Sequence, residues 1–104
     1  MKLLFQAAAL IAATTPVLAQ DAAPTLLHQR ALAATCAACH GTEGRAPAGS
    51  AMPSLAGRPA PWIVEQMSAF QSGAREATVM HQIARGYSAA QIEQLAAYFA
   101  ALKP

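Results

Sequence analysis

Cys36-Ala37-Ala38-Cys39-His40 constrains this chain more than any other segment. Two cysteines separated by two residues and followed at once by histidine read as a c-type haem attachment site. The spacing has a mechanical reason. Each thiol can form a thioether bond to one vinyl group of a single porphyrin, and the adjacent imidazole then lies under the iron as its proximal ligand.

Other uses of the pair fit less well. A structural zinc site wants four Cys or His ligands, usually as two spaced pairs. The chain holds two cysteines and three histidines, and His28 and His81 form no H-x-x-x-H pair. A thioredoxin-like redox pair belongs beside a βαβ unit, and the sequence shows no β-rich run. A disulfide across so short a loop would be strained.

The first residues point to export. Lys2 gives a positive start, Leu3 to Ala13 is apolar, and Val17-Leu18-Ala19 ends in a small residue suited to signal peptidase. Residues 1–19 therefore read as a secretory signal peptide. The apolar stretch is broken by Thr14, Thr15 and Pro16 and falls short of the roughly 20 residues that a bilayer span needs. Cleavage after Ala19 leaves 85 residues, 20–104, as one domain, destined for the periplasm with no stable membrane insertion.

A domain this small buries a modest core and often leans on a cofactor. The porphyrin can supply the missing apolar mass, so fold and cofactor are expected to depend on each other. Charge adds little. Without Lys2 the chain carries six basic and five acidic residues, net +1, and no basic run points to nucleic acid.

The element pattern is all-α. Gln20 to Pro24 reads as a disordered lead, Thr25 as a helix cap, and Leu26 to Ala38 as an Ala/Leu-rich helix running into the haem motif. Gly41 to Gly57 holds four of the six glycines and reads as a loop. Pro59 and Pro61 open a second helix, which carries Trp62, Ile63, Val64, Met67 and Phe70 on a broad apolar face and stops at Gly73. Ala77 to Arg85 reads as a short helical piece. Ser88 and Gln91 form a capping box, after which Ile92, Leu95, Ala96, Phe99 and Leu102 trace an amphipathic stripe.

Met52, Met67, Met80 and His81 are the candidates for a second axial ligand. A helical methionine is more often a core filler than a ligand. His81 sits about 100° around a helix from Met80, at 3.6 residues per turn.

The chain resembles the class I c-type cytochromes. Cys36 to His40 carries that family's haem signature, and Pro53-Ser54-Leu55-Ala56-Gly57 is similar to its P-x-L-x-G segment. The last helix, with Tyr98 and Phe99, resembles its closing helix. The resemblance implies three to five helices wrapped around one covalently bound haem c, with Cys36 and Cys39 as thioether anchors. It further implies that the Pro53 carbonyl orients His40, a contact that fixes the tautomer and raises ligand basicity. Met80, between Gly73 and Gly86, stands where the family's distal methionine does, so the implied metal ligands are His40 and Met80.

Phe70 to Gly73, Thr78 to Ser88 and Leu95 to Phe99 narrow the resemblance to the cytochrome subunit of flavocytochrome c sulfide dehydrogenase. This chain has one haem domain where the better-known form has two. Cytochromes c4 and c553 are related. The implied function is a periplasmic one-electron carrier, not itself an enzyme, that accepts electrons from an FAD-containing sulfide dehydrogenase subunit in a heterodimer and passes them to another cytochrome. A free soluble c5/c553-type shuttle is the alternative, and a haem enzyme or gas sensor with an open sixth site is a third reading. Val79, Ile83, Leu55, Trp62 and Phe99 are expected to wall the haem. Arg45, Arg58 and Arg85, with Trp62 and Tyr87, are candidates to meet its propionates, each with a surface or core role as the plainer explanation.

Overall fold

In the computed structural model, residues 22–104 are described, and every regular element among them is helical. The expected leader, 1–19, lies outside the described residues. The helices are α1 (Ala22–Ala34), α2 (Ala37–His40), α3 (Ala60–Ser72), α4 (Met80–Ala84) and α5 (Ala89–Ala100), with a 3₁₀ turn at Thr42–Gly44. The architecture is the all-α one that the sequence pattern and the family resemblance imply.

α5 is the clearest case of sequence becoming structure. The Ser88 hydroxyl accepts the Gln91 N–H at 3.2 Å while the Gln91 side chain accepts the Ser88 N–H at 2.9 Å, closing the capping box. Ile92, Leu95, Ala96 and Phe99 follow on one face, each no more than 2% exposed. Burying such an Ile, Leu or Phe side chain is worth about 1.5–3 kcal/mol. α5 packs against α3 and α1, and Ala33, Ile63, Leu95, Ala96 and Phe99 form one core cluster. Ala33 brings a small side chain to that junction, which lets the backbones approach.

Three boundaries differ from the sequence expectation. α1 begins at Ala22, not after Thr25. Pro24 falls in its first turn, where backbone N–H groups have no intrahelical acceptor. The helix then breaks at Thr35–Cys36 instead of running through the haem motif. The Thr35 hydroxyl donates back to Leu32 O at 2.9 Å, and Cys36 N–H closes a tighter turn onto Ala33 O at 3.1 Å. Such local side-chain bonds compete with the helical ladder. Finally, α4 starts at Met80; Val79 stands at φ −140°, so Ala77–Val79 are not helical.

α3 opens on Pro59 and Pro61 and ends at Gly73, whose φ of 80° is left-handed, the usual conformation at a helix C-terminus. Residues 41–57 form a loop folded back on itself. The Gly44 carbonyl accepts Leu55 N–H at 2.7 Å and Ala56 N–H at 3.2 Å, and the Ser54 hydroxyl accepts Ala46 N–H at 3.0 Å. The chain end locks this loop from outside. Gly57 N–H donates to Phe99 O at 2.9 Å, and the Arg45 guanidinium donates to Lys103 O at 2.8 and 3.1 Å.

Candidate functional site

α2 and its N-cap residue Cys36 present three side chains. His40 N–H donates to Cys36 O at 2.9 Å and Gly41 N–H to Ala37 O at 3.1 Å, so the attachment motif is a single helical turn. That turn sets Cys36, Cys39 and His40 on the wall of one cavity of about 480 Å³. The volume lies within the roughly 300–1,000 Å³ of cofactor pockets. Both cysteines are free thiols. Burial pushes the Cys36 thiol up from its ordinary value, with the Thr35 hydroxyl at 4.0 Å acting in the opposite sense; unattached, it stays a neutral thiol at neutral pH.

His40 is buried, and its Nδ1 lies 2.7 Å from the Pro53 carbonyl. A carbonyl only accepts, so the neutral ring carries its proton on Nδ1 and keeps the Nε2 lone pair free. Free Nε2 is the form in which neutral imidazole binds a metal. Loop closure through Gly44 brings Pro53 back to this position, thirteen residues beyond His40.

Most of the remaining wall is apolar. Leu55, Trp62, Ile63, Phe70, Val79, Ile83 and Phe99 all line the cavity, including the five residues expected to wall the haem. Met80, the first residue of α4, lines it too, and so do Met52 and Met67. His81 does not. It lines an adjoining polar recess with Glu76 and Arg85, as its angular offset from Met80 implies. A cavity with two thiols, a histidine of fixed tautomer, thioether sulfurs and mostly apolar walls has the donor chemistry that haem c requires.

The arginines are rearranged relative to the sequence expectation. Arg45 pairs with exposed Glu43 at 2.6 Å and with Lys103 O. Arg58 donates to Ser54 O at 3.3 Å and stacks over Trp62, 5.1 Å from its ring centre. Arg85 faces the polar recess. None of the three lines the cavity. Arg75, which the sequence did not single out, does line it: its guanidinium stacks over Phe70 at 4.7 Å and bonds the Gln66 side chain. Its N–H reaches back to Ala69 O at 3.1 Å, folding the segment after Gly73 against α3. The Tyr87 hydroxyl is bonded to Thr35 Oγ1 at 2.8 Å.

Among the described residues, no group of three or more His, Cys, Asp or Glu gathers as a metal cluster. No helix among them is long and apolar enough to cross a membrane.

Comparison with known proteins agrees with this geometry. The family described as cytochrome c oxidase, cbb3-type, subunit III matches residues 24–99. The cytochrome subunit of sulfide dehydrogenase from Chlorobaculum tepidum is 36% identical over 84% of this chain and 79% of its own length. A thiosulfate dehydrogenase electron acceptor from Thiomonas intermedia is 43% identical over 69% of this chain, which spans 33% of that protein. A solved cytochrome c4 from Acidithiobacillus ferrooxidans superposes with a TM-score of 0.61 at 37% identity, covering 64% of this chain and 38% of that one. With cavity, connectivity and relatives in agreement, the chain belongs to that family and is a c-type cytochrome: an all-α electron carrier whose cofactor is haem c.

Proposed function

We propose that this chain is a periplasmic one-electron carrier serving a flavin-containing sulfide dehydrogenase, exported by the leader over residues 1–19 and itself without catalytic residues. Cys36 and Cys39 anchor the porphyrin. His40 would hold the iron through Nε2, and Met80 would supply its second protein ligand. The contact of His40 Nδ1 with Pro53 O, inside a cavity both cysteines line, is the observation that carries the site assignment. Three methionines share that wall, and Met52 precedes the residue whose carbonyl holds His40, which puts its backbone on the proximal side. Met67 lies within α3, where packing against the core accounts for it. Met80 begins its own short helix and has no comparable packing duty.

Haem c, when bound, supplies a single reversible electron at iron. The residues tune that exchange. Hydrogen bonding from Nδ1–H to Pro53 raises the basicity of His40. A thioether ligand would favour ferrous iron and raise the potential, and the largely apolar wall would act in the same direction by disfavouring the extra charge of the ferric state.

The partner assignment leans on coverage. The similarity to the sulfide dehydrogenase subunit runs through most of both chains, whereas the acceptor from Thiomonas is matched over a third of its length. Its 43% identity nevertheless favours a second reading, a freely diffusing acceptor for a sulfur-compound dehydrogenase. Stopped-flow mixing separates the two. With sulfide and a flavoprotein sulfide dehydrogenase, the oxidised protein is expected to be reduced rapidly and to co-purify with the flavoprotein. Reduction by a thiosulfate dehydrogenase, with no stable complex and no response to sulfide, would favour the second.

A further inference from the structure

α4 is a helix of five residues and cannot hold itself. Helix nucleation is unfavourable, so so short a segment takes its position from tertiary contacts. It packs along α3, but its own side chains bury little there. Ala84 is its only buried side chain, Ile83 is 39% exposed, and Val79 gives its N-terminus no side-chain cap.

What ties α4 down is Gln71, on α3. Its Nε2 donates to Ala84 O and to Tyr87 O, both at 2.8 Å. Both partners are carbonyls that only accept, so the amide must present its NH₂ end, and it uses both hydrogens. Ala84 O also accepts Tyr87 N–H at 3.2 Å, so one side chain clasps the whole turn that ends α4. Gln71 itself does not line the cavity. A second tie, from the Tyr87 hydroxyl to Thr35 at 2.8 Å, lies at an exposed position where water can substitute.

We propose that Gln71 is a positioning residue for the distal ligand: by clasping the turn after α4 it fixes where that helix stands, and so where the Met80 sulfur is presented to the cavity. The inference rests on the reading of Met80 as the distal ligand. It is a claim about leverage. Gln71 does not line the cavity, yet it bonds the end of the element that carries Met80 to α3.

The test uses the haem-loaded protein and three variants, Gln71→Met, Gln71→Glu and Gln71→Lys. Two measurements report on the sulfur: the methionine-to-ferric-iron charge-transfer band and the rate of carbon monoxide binding to ferrous protein. Gln71→Met keeps the length and removes the donors. It is expected to weaken the band and speed carbon monoxide binding by roughly five- to 150-fold, the population change that follows when buried carbonyls lose their donor. Gln71→Glu, which faces the carbonyls with a carboxylate, is expected to do the same. Gln71→Lys restores donors and is expected to stay within about threefold of the natural protein, near the lower end of what losing one neutral hydrogen bond costs.

Gln71→Met with an unchanged band and rate overturns the proposal. So do equal shifts in Gln71→Met and Gln71→Lys, which would mean packing and not donation. Failure of both Gln71→Met and Gln71→Glu to accumulate as folded protein also overturns it, because Gln71 would then be a requirement of the whole fold. Failure of the underlying reading looks different: the natural protein would lack the band, or Met80→Ala would retain it.

Discussion

Replacing Gly41 with alanine strikes the hinge between the attachment motif and the loop that orients it. Gly41 stands at φ 83°, ψ 162°, a region that only glycine occupies at ease. A Cβ there would lie 2.0 Å from the Arg45 carbonyl oxygen and 2.5 Å from its carbon. Those are backbone atoms, so no change of rotamer relieves the overlap. The conformational strain costs about 1–3 kcal/mol, and displacing packed backbone costs roughly another 1–3 kcal/mol. A total of roughly 2–6 kcal/mol compares with about 4–12 kcal/mol for the stability of a domain this small. The expected fall in melting temperature is roughly 10–40 °C. Relief would have to come from moving the 41–45 turn, and His40 moves with it. Thermal unfolding of the haem-loaded Gly41→Ala protein, followed together in the far ultraviolet and the Soret band, reads both effects. Melting within about 5 °C of the natural protein, the equivalent of about 1 kcal/mol, would refute the steric argument.

Three further outcomes are expected. Ser88→Ala removes one half of the capping box and should cost about 1 kcal/mol, a melting shift of roughly 4–8 °C, with the visible spectrum unchanged; an altered spectrum would show that α5's first turn reaches the site. Met80→Ala should abolish the methionine charge-transfer band, open the iron to carbon monoxide and lower the potential on the order of 0.1 V, within the roughly 0.8 V that axial ligation spans. Persistence of the band would transfer the ligand role to Met52 or Met67. Protein produced without haem, or as Cys36→Ser/Cys39→Ser, should lose most of its helical circular dichroism, since the cavity of about 480 Å³ at its centre then lacks its apolar filling; a cooperative melt at unchanged helix content would contradict the dependence of fold on cofactor.

The parts legible in the sequence were those with local rules. α5 follows from a capping box and a 3.6-residue stripe, and α3 from prolines at its start and a glycine at its end. The attachment signature of Cys36 to His40 is written in its spacing, though its separation from α1 is not. The remaining features depend on contacts between distant residues. Nothing in the Ala/Leu-rich stretch marks the break at Thr35–Cys36; it arises where Thr35 turns its hydroxyl onto Leu32 and toward Tyr87, fifty-two residues on. Glu43 adopts a φ of 54° inside the 3₁₀ turn with no glycine to announce it. Charge alone cannot rank five arginines, and only the fold shows that Arg75 is the one that lies over Phe70. Gln71 reads as a polar residue near a helix end until Ala84 and Tyr87 are brought beneath it.

Trypsin offers the most direct test of covalent attachment, because it cuts after Arg30 and Arg45 and frees the fragment Ala31–Arg45 with both cysteines and His40. Mass spectrometry of that fragment is predicted to find it heavier by one haem and coloured after acid–acetone treatment. A colourless fragment with two alkylatable thiols would contradict the account.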